Sequence, residues 1–318
     1  MNRVNEIPKA SWHTDRDAMA PIKRTGTDAQ GKPSGYVGIF DSWVQWCDYC
    51  DQEPPSLPDG APAGSRKDDR DRGYGDGEEW SGGSWESAIK LARAGWHEQI
   101  ATTDHIAGDI AYSVIGDRLS TDWRFDRDVA GDMVDVASFL SGEPENMVFA
   151  YPEEDTSSGT VVRLVVPVAF TWMVETSLAI KRGNAIVALV DVLTKAGYSL
   201  EIWAQLAITG GFPESRVSYA VNVQKATDPL DMGTILYALA HPTMLRRLGF
   251  SAMERLPMTM KRKLHVGSGY GSPDSVRPGD VPEVDGPTII LPQLSYNDDW
   301  DPSDAEEWIG IALDSLSE

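Results

Sequence analysis

Acidic side chains are concentrated in one short stretch, Phe125 to Met147, with the sequence FDRDVAGDMVDVASFLSGEPENM and six carboxylates. Carboxylate oxygens could hold a divalent cation, or two of them could serve as general acid and general base in a hydrolysis. Pro144 makes a rigid turn between two of these acids, so that their side chains project from the chain. The best candidates for such chemistry are Asp128, Asp132, Glu143 and Glu145.

The same stretch also has a structural explanation, because its apolar residues recur with helical spacing. Val129, Met133, Val136 and Leu140 stand at i, i+4, i+7 and i+11, and Gly142 follows as a stop. This spacing predicts a helix with a buried apolar stripe, and the acids then lie on a neighbouring stripe that faces water. The sequence favours the solvated helix face over a catalytic or metal-holding cluster.

Other motifs that could support catalysis are incomplete. His105, between Asp104 and Asp109, could take part in acid–base chemistry, although a loop histidine near acids is more often a salt-linked surface residue. Cys47 and Cys50 form a C-x-x-C within an aromatic stretch, and the sequence favours packing over redox chemistry or zinc binding. Neither a Walker pattern nor a G-x-S-x-G elbow is present. We therefore expect no cofactor and no metal site.

One segment reverses the charge of the rest of the chain. The formal net charge is −21, yet MLRRLGFSAMERLPMTMKRKLH, residues 244–265, has six basic residues and one acid. They could bind nucleic-acid phosphates, or pair with an acidic surface of this chain or of another copy of it, such as the Asp-rich stretch 51–83. The sequence favours pairing with protein. The basic residues are Arg246, Arg247, Arg255, Lys261, Arg262 and Lys263.

Composition limits the class of protein. The chain has 318 residues, of which 41% are hydrophobic and 11 are tryptophan, so it can bury a substantial core. Its acidic surface repels phosphate backbones and anionic lipids over most of its area. No apolar run approaches the roughly 20 residues of a membrane span, and the N-terminal residues lack the apolar core of a secretory signal. With two cysteines and no disulfide framework, we predict a cytoplasmic protein without membrane contact.

Shifts in composition divide the chain into five parts. Residues 1–35 lack periodicity and predict a flexible tail, and residues 36–50 predict an apolar helix docked on the main body. Residues 51–83, rich in proline, glycine and charge, predict an acidic linker. Residues 84–150 predict a mainly helical subdomain, and residues 151–318 predict an α/β domain.

The last of these parts has the elements of a layered sheet. VVRLVVPVAF, from Val161, is a continuous apolar run typical of a strand covered on both faces. A helix within Glu175–Ala196 follows, and then SLEIWAQLAI and RVSYAVNVQ alternate as the two strands of an antiparallel hairpin. A helix that begins at Asp228-Pro229, a buried strand over Pro287–Leu294 and a closing helix complete the order. This order predicts an α/β fold with a layered mixed sheet.

The element order from Val161 to Leu316 resembles that of a von Willebrand factor A-type domain. Such domains hold a divalent ion on a D-x-S-x-S loop after the first strand. The matching spacing falls here on Pro167, Ala169 and Thr171, which supply one hydroxyl and no carboxylate. The resemblance therefore implies a degenerate relative whose metal site is lost.

A second resemblance is carried by four segments: GSWESAIKLARAGW, DVAGDMVDVASFLSGEPENM, AIVALVDVLTKAGYSLEIWA and LAHPTMLRRLGFSAMERLP. They resemble an uncharacterised protein family encoded by bacteriophages and actinobacterial mobile elements, over about Ile39 to Leu316. This resemblance implies an origin and a place in the cytoplasm of a host cell, and it implies no activity.

These observations lead to three hypotheses about function. We predict a non-enzymatic protein that binds a partner protein, or a second copy of itself, through a charge-segregated surface. The alternative is viral or plasmid DNA handling, in replication or packaging, through the basic segment 244–265. The third hypothesis is a metal-dependent hydrolase that uses the acids between Asp128 and Glu145.

Overall fold

Strands and helices alternate along much of the chain in the computed structural model, which makes it a mixed α/β protein. The structure describes residues 22–24, 35–53, 55–61, 63–68, 78–100, 123–131, 133–152, 160–195, 197–211, 215–282 and 286–294. The α/β class and the mixed sheet predicted from the sequence are confirmed. The predicted closing helix after Trp300 lies outside the described residues.

The strands of the described ranges form two sheets. In chain order they are β1 (Ile22–Arg24), β2 (Gly35–Phe40), β3 (Trp123–Asp128), β4 (Met133–Val134), β5 (Met147–Pro152), β6 (Val161–Pro167), β7 (Ser199–Thr209), β8 (Arg216–Gln224), β9 (Ser272–Pro273) and β10 (Thr288–Ile290). The larger sheet has the order β1-β2-β8-β7-β6-β10, and β9 pairs with β7. β6 runs parallel to β7 and β10, and β2 runs parallel to β8, whereas β7 and β8 form the predicted antiparallel hairpin. The smaller sheet, β3-β5-β4, is antiparallel.

Helices connect and cover these strands. They are α1 (Trp43–Asp51), α2 (Glu78–Ser81), α3 (Trp85–Ala94), α4 (Val136–Leu140), α5 (Thr176–Lys195), α6 (Met232–Ala240), α7 (Phe250–Met253) and α8 (Met258–Lys263). A turn of 3₁₀-helix follows α3 at His97–Gln99, and a π-helix at Met244–Gly249 leads directly into α7. α5 is the crossover between the parallel strands β6 and β7, as the sequence predicts.

Side chains alternate between the two faces of the central strands, and each face has its own cover. On one face, Leu164 and Val166 of β6 belong to the main hydrophobic core, together with apolar residues of α1, α3, α5 and α6. On the other face, Val165 packs with Trp203 in a smaller cluster that includes residues of the loop 274–282. Both faces of the central strands are therefore buried, which explains why their sequence is almost continuously apolar.

A buried arginine fastens that loop to the sheet. The guanidinium of Arg216, in β8, donates hydrogen bonds to the carboxylates of Asp274 at 2.6 Å and Asp280 at 2.7 Å. The side-chain amide of Gln205 donates to Ser218 Oγ at 2.8 Å and also reaches Asp280 at 3.3 Å. Because buried polar groups need partners, this network allows a loop to close the face that carries no helix in the described ranges.

The predicted docked helix over residues 36–50 is wrong in its first part. Gly35–Phe40 form β2, which pairs along its whole length with β8, and the helix is confined to Trp43–Asp51. A glycine at position 38 permits this pairing, because a Cβ there would lie 2.8 Å from the ring of Tyr219. β1 falls within residues 1–35, the predicted flexible tail, and pairs with β2.

The predicted linker, residues 51–83, packs against the main body in its described part. Ser65 is completely buried. Its amide and its hydroxyl both donate to the carboxylate of Glu254, at 2.5 Å and 3.1 Å. The low apolar content of this segment does not prevent packing, because hydrogen bonds to buried charged side chains replace hydrophobic contacts.

In its described part, the predicted helical subdomain, residues 84–150, is also wrong. α3 forms as predicted, but Ala88 and Ala92 bury its apolar face in the main core, where the indole of Trp43 donates to the carbonyl of Ala92 at 2.7 Å. Residues 123–152 then form the smaller sheet instead of helices alone. The apolar stripe of α3 packs against α1 and α6. The residues before and after position 84 therefore share one hydrophobic core.

The start of α6 lies three residues beyond the predicted Asp228-Pro229 start. The side-chain amide of Gln224 donates to the carbonyl oxygens of Asp228 at 2.9 Å and Pro229 at 3.3 Å, so these oxygens are already bonded outside the helix. The N-cap is Asp231, whose carboxylate accepts the Thr234 amide at 3.1 Å.

Candidate functional site

The three-stranded module, residues 123–131 and 133–152, contains most of the acidic candidates. β5 is its central strand: Asp128 of β3 pairs with Met147, and Met133 of β4 pairs with Val148. α4 lies in the connection between β4 and β5. Directly paired residues share a face, so Asp128, Met147 and Val134 lie on one side of the small sheet.

The predicted helix over Val129–Leu140 is wrong, and so is the predicted burial of its apolar stripe. The chain makes a turn after β3, then forms β4, and only Val136–Leu140 are helical. Gly131 explains the change, because a Cβ at that position would lie 2.7 Å from the carbonyl oxygen of Val148. The chain approaches β5 too closely for a side chain, and pairing with β5 replaces helical hydrogen bonds.

α4 turns its polar side inward and its apolar side outward. Asp135 precedes it, and the Asp135 carboxylate accepts hydrogen bonds from the Ser138 hydroxyl at 3.1 Å and the Arg127 guanidinium at 2.6 Å. Ser138 is 5% exposed, whereas Phe139 and Leu140 are 61% and 78% exposed. Amphipathic helices of globular proteins normally show the opposite arrangement. The exposed stripe of α4 is therefore an unusual feature that needs an explanation.

Apolar exposure extends over the rest of the module. Thirteen large hydrophobic residues are exposed among the residues that the structure describes, and seven of them lie here. They are Val129, Met133, Val134, Val136, Phe139, Leu140 and Phe149. Single exposed apolar residues are ordinary, whereas a larger contiguous apolar patch is a common feature of interaction surfaces.

The acidic candidates that the structure describes form no metal-binding group. Asp128, Glu143 and Glu145 are exposed, and the Asp128 carboxylate accepts the amide of the next residue, Val129, at 2.6 Å. In the ranges that the structure describes, no group of three or more His, Cys, Asp or Glu residues is placed to hold a metal ion. Asp132 and His105, the other two candidates, lie outside the described residues.

The basic segment, residues 244–265, places its first two arginines inside the protein. Arg246 and Arg247 are 2% and 1% exposed, and both belong to the π-helix. Arg247 donates to the carbonyl oxygens of Ser65, Lys67 and Gly83 at 2.8–2.9 Å. A charged side chain can be buried in this way when its donors find acceptors. These arginines therefore hold the chain together and do not form a surface.

Two further members of the basic segment act in the same manner. Arg255 donates to the carbonyl oxygens of Gln52 at 2.5 Å and Glu53 at 3.1 Å, and Lys261 donates to that of Ser56 at 2.8 Å. Burial lowers the pKa of both basic groups. The remaining two of the six, Arg262 and Lys263, are exposed and half-buried. The basic segment thus contacts the stretch 51–83 through backbone carbonyl oxygens, whereas the sequence raises a pairing with acidic side chains.

A comparison with known protein families identifies the family of this chain. A model of a domain of unknown function, DUF7192, matches residues 23–309. The chain belongs to the DUF7192 family. The prediction of an uncharacterised family is therefore confirmed at that level. No curated protein and no solved structure matches the DUF7192 chain, so its likeness to von Willebrand A-type domains stays a prediction.

The C-x-x-C of the DUF7192 chain is part of the hydrophobic core. Cys47 and Cys50 are buried and unbridged, and the Cys50 thiol donates to the carbonyl of Leu248 at 3.4 Å. Burial raises the pKa of Cys47 to about 12 and that of Cys50 well above its ordinary value. Both side chains are therefore neutral thiols in the fold, and a thiolate nucleophile is not available there.

Helices long and apolar enough to cross a lipid bilayer are absent from the described ranges of the DUF7192 chain. α5, the longest at 20 residues, packs on the sheet through an apolar side that includes Ile186 and Leu189. Its close contact with α6 depends on Gly183, where a Cβ would lie 1.9 Å from the Cβ of Ala240. The apolar content of this helix is accounted for by the core.

Proposed function

We propose that the three-stranded module is a docking surface for another protein, which presents an apolar patch bordered by basic side chains. The observation that carries this proposal is the inverted helix α4, with Ser138 inside and Phe139 and Leu140 in solvent. Burying one such side chain against a partner stabilises a complex by about 1.5–3 kcal/mol. An unpartnered apolar helix face that has a polar inner side is best explained by a partner that covers it.

The charge around the apolar stripe supports a basic partner over a second copy. Asp128, Glu143 and Glu145 are exposed in the module, whereas Arg127 is bonded to Asp135 at 2.6 Å. A second copy would bring the same acids to the interface, and the whole chain has a net charge of −21. Like charges at an interface oppose association, whereas lysine and arginine on the partner would speed and orient it.

This proposal keeps the protein-binding hypothesis and changes the surface that performs it. The charge-segregated surface expected around residues 244–265 loses Arg246, Arg247 and Lys261 to the interior, which also removes the main support for DNA handling. The acids expected to serve a hydrolase become the border of the docking surface. We further propose that the chain is a phage or mobile-element protein that acts in the host cytoplasm, as its sequence segments imply.

A site-specific photo-crosslinking experiment tests this proposal. A benzophenone amino acid is placed at Phe139 in one variant and at Val44 in a control, because Val44 is also exposed, at 63%, but lies on α1. In cells that contain the native partner, we expect the probe at position 139 to capture one defined protein. Excess unlabelled wild-type chain should compete with the capture, and the double variant Phe139→Asp/Leu140→Asp should not.

The same experiment distinguishes the outcomes. Equal patterns from positions 139 and 44 would show non-specific contact and would overturn the docking surface. Capture of a second copy of the chain, supported by a dimer in analytical ultracentrifugation that Phe139→Asp/Leu140→Asp dissociates, would replace the basic partner by self-association. For a captured partner, we expect Glu143→Lys/Glu145→Lys to reduce the association rate and its dependence on salt.

A further inference from the structure

The helix α4 is held in place by polar groups at both of its ends. Before it, the Asp135 carboxylate accepts the Ser138 amide at 3.3 Å and the Ser138 hydroxyl at 3.1 Å. After it, Gly142 adopts a φ of 76°, and its amide donates to the carbonyl oxygen of Phe139 at 3.2 Å. The Glu143 amide donates to the carbonyl oxygen of Ser138 at 3.0 Å, which completes a Schellman motif. These caps form the turn of α4 without burial of its apolar side chains.

Three apolar residues share one face of the small sheet. Val134 of β4 pairs directly with Met147 of β5, and Phe149 stands two residues further along β5. Directly paired residues, and residues two apart in a strand, lie on the same face. Val134 and Phe149 are 50% and 40% exposed, so the described residues leave much of this face uncovered. Asp128 of β3 also pairs with Met147, and it places a carboxylate at the border of the same face.

The apolar side of α4 continues this face. Arg127 lies on the opposite face of the sheet, because it precedes Asp128 in β3 and neighbouring residues of a strand alternate. The Arg127 guanidinium donates to the Asp135 carboxylate, which also accepts the hydroxyl of the buried Ser138. The polar side of α4 is thus turned towards the face of Arg127. The opposite side of α4 carries its exposed residues, which stand at i, i+3 and i+4: Val136, Phe139 and Leu140.

The edges of the small sheet are poorly suited to the addition of a partner strand. In the described ranges, β4 is two residues long, and α4 begins two residues after it. The other edge strand, β3, has the sequence WRFDRD, in which four of the six residues are charged. Charged side chains on an edge strand oppose pairing with a further strand. The module therefore offers its side chains to a partner and not its backbone.

The spacing of the exposed residues on α4 is the spacing by which helices pack on one another. Residues at i and i+3, and at i and i+4, form ridges that fit the grooves of a second helix. The five residues of α4 extend for about 7.5 Å, and Val134 and Phe149 lengthen the apolar surface beyond them. A partner helix of three to four turns, about 16–22 Å long, covers a surface of this length.

From these observations we infer that the partner contributes a basic amphipathic helix, an inference that rests on the function proposed above. The apolar stripe of this helix packs on Val134, Phe149 and the exposed side of α4. Its lysine and arginine residues flank the stripe and meet the exposed carboxylates, which are those of Asp128, Glu143 and Glu145. Opposite charges orient the helix, and burial of the apolar stripe supplies the affinity.

The test compares synthetic peptides of about 14 residues, four turns of helix, each half leucine and half lysine. The first has leucine at helical spacing, the second alternates leucine and lysine as in a strand, and the third has a scrambled order. Each is labelled with fluorescein and titrated into the full chain, and binding is followed by fluorescence anisotropy. We expect saturable binding of the helical-pattern peptide, with helical Cα chemical shifts in a ¹³C-labelled sample, and about tenfold weaker binding of the other two.

Variants of the chain and of the peptide assign the contact. Phe139→Asp/Leu140→Asp should raise the dissociation constant of the helical-pattern peptide about 100-fold, and Val134→Asp about tenfold, because apolar burial is lost. Val44→Asp is the matched control and should leave binding unchanged, because Val44 is 63% exposed but lies on α1. A helical-pattern peptide with glutamate in place of lysine should not bind, because it meets carboxylates of the same charge.

The outcomes separate this inference from the docking proposal. If the alternating peptide binds more tightly than the helical-pattern peptide and is lost in Phe139→Asp/Leu140→Asp, the docking surface stands and its partner supplies a strand. Equal binding of the helical-pattern and scrambled peptides, or binding that Phe139→Asp/Leu140→Asp leaves unchanged, would reduce the contact to general attraction by the net charge of −21 and overturn the inference. Failure of the docking surface itself is seen separately, as equal crosslinking patterns from positions 139 and 44.

Discussion

The basic segment and the three-stranded module reverse the usual positions of charged and apolar side chains. In the basic segment, Arg246 and Arg247 lie in the interior with backbone carbonyls around them. In the module, Phe139 and Leu140 lie in solvent while Ser138 is buried. The first reversal is explained by the chain itself, because its backbone carbonyl oxygens accept the hydrogen bonds of the buried guanidinium groups. The second has no cover among the described residues, and the docking proposal assigns that cover to a partner.

The largest expected effect on stability is at Arg247, which tests the structural role of the buried arginines. Replacement by alanine removes the hydrogen bonds that the guanidinium donates to three carbonyl oxygens and to the Ser81 hydroxyl in the interior. We expect Arg247→Ala to lower the free energy of unfolding by about 3–5 kcal/mol in urea titrations. Arg262→Ala, at an exposed arginine of the same segment, should change it by less than about 0.5 kcal/mol. Similar losses for both variants would contradict the structural role of the buried arginine.

A partly buried histidine extends the comparison to a group whose charge depends on pH. His241 contacts the rings of Trp96 and Tyr237, its Nδ1 lies 2.7 Å from Thr243 Oγ1, and burial lowers its pKa from 6.5 to about 4. The folded state therefore favours the neutral ring. This preference for the neutral ring contributes at most about 3 kcal/mol to the free energy of unfolding. The contribution is fully present above pH 6.5 and is lost as the pH falls towards 4.

Urea titrations between pH 7.5 and 4 check this expectation. His241→Asn keeps an amide near the position of Nδ1 and does not titrate, so its stability should depend less on pH than that of wild type between pH 6.5 and 4. His97→Asn, at an exposed histidine, is the control and should follow wild type. Parallel curves for wild type and His241→Asn would show that the His241 ring does not govern the pH dependence of stability in this window.

Tyr270 offers a smaller test of the interior network. Its hydroxyl donates to the carboxylate of Glu254 at 2.6 Å, beside the two bonds from Ser65. We expect Tyr270→Phe to lower the free energy of unfolding by about 2 kcal/mol, because a hydrogen bond to a buried charge is lost. Tyr198→Phe, at a half-buried tyrosine, is the control. An unchanged midpoint for Tyr270→Phe would mean that Glu254 is satisfied by Ser65 alone.

The smallest expected change in stability belongs to the module. Phe139→Asp/Leu140→Asp replaces two exposed apolar side chains, so the free energy of unfolding should shift by no more than about 0.5 kcal/mol. Phe250→Asp, in the core, should by contrast prevent folding or cost several kcal/mol. A large loss in the module variant would mean that Phe139 and Leu140 stabilise the chain itself, and the docking surface would be withdrawn.

Local pattern predicted the parts of the fold whose contacts are also local or whose burial is complete. The hairpin β7–β8, the buried strand β6 and the crossover α5 follow from alternation or helical spacing within 10–20 residues. The sequence could not show that Gly35–Phe40 would pair with Arg216–Gln224, because that edge lies about 180 residues further along the chain. Distant pairing, in place of intrinsic preference, decided the structure of this segment.

The prediction of the candidate site was wrong for a related reason. The spacing of Val129 to Leu140 fits a helix by chance, and the close approach at Gly131 to Val148 in β5 overrides it. The burial of Arg247 depends on carbonyl oxygens of Ser65 and Lys67, which are 182 and 180 residues away. Charge counts along a sequence cannot reveal such acceptors, because every residue carries a carbonyl. The number of basic residues in a segment is therefore a poor guide to whether their side chains are exposed.

The position of β2 beside β8 has a consequence for synthesis on the ribosome. Phe40 and Trp46 pack against Tyr219, with ring centroids 6.3 Å and 5.7 Å apart, so their partner is made long after they are. At roughly 5–20 residues per second, the delay is about 10 to 35 s. During that interval the aromatic side chains between Phe40 and Trp46 lack the strand β8 against which they pack. We therefore expect the nascent chain to depend on holding chaperones until Tyr219 has emerged from the ribosome.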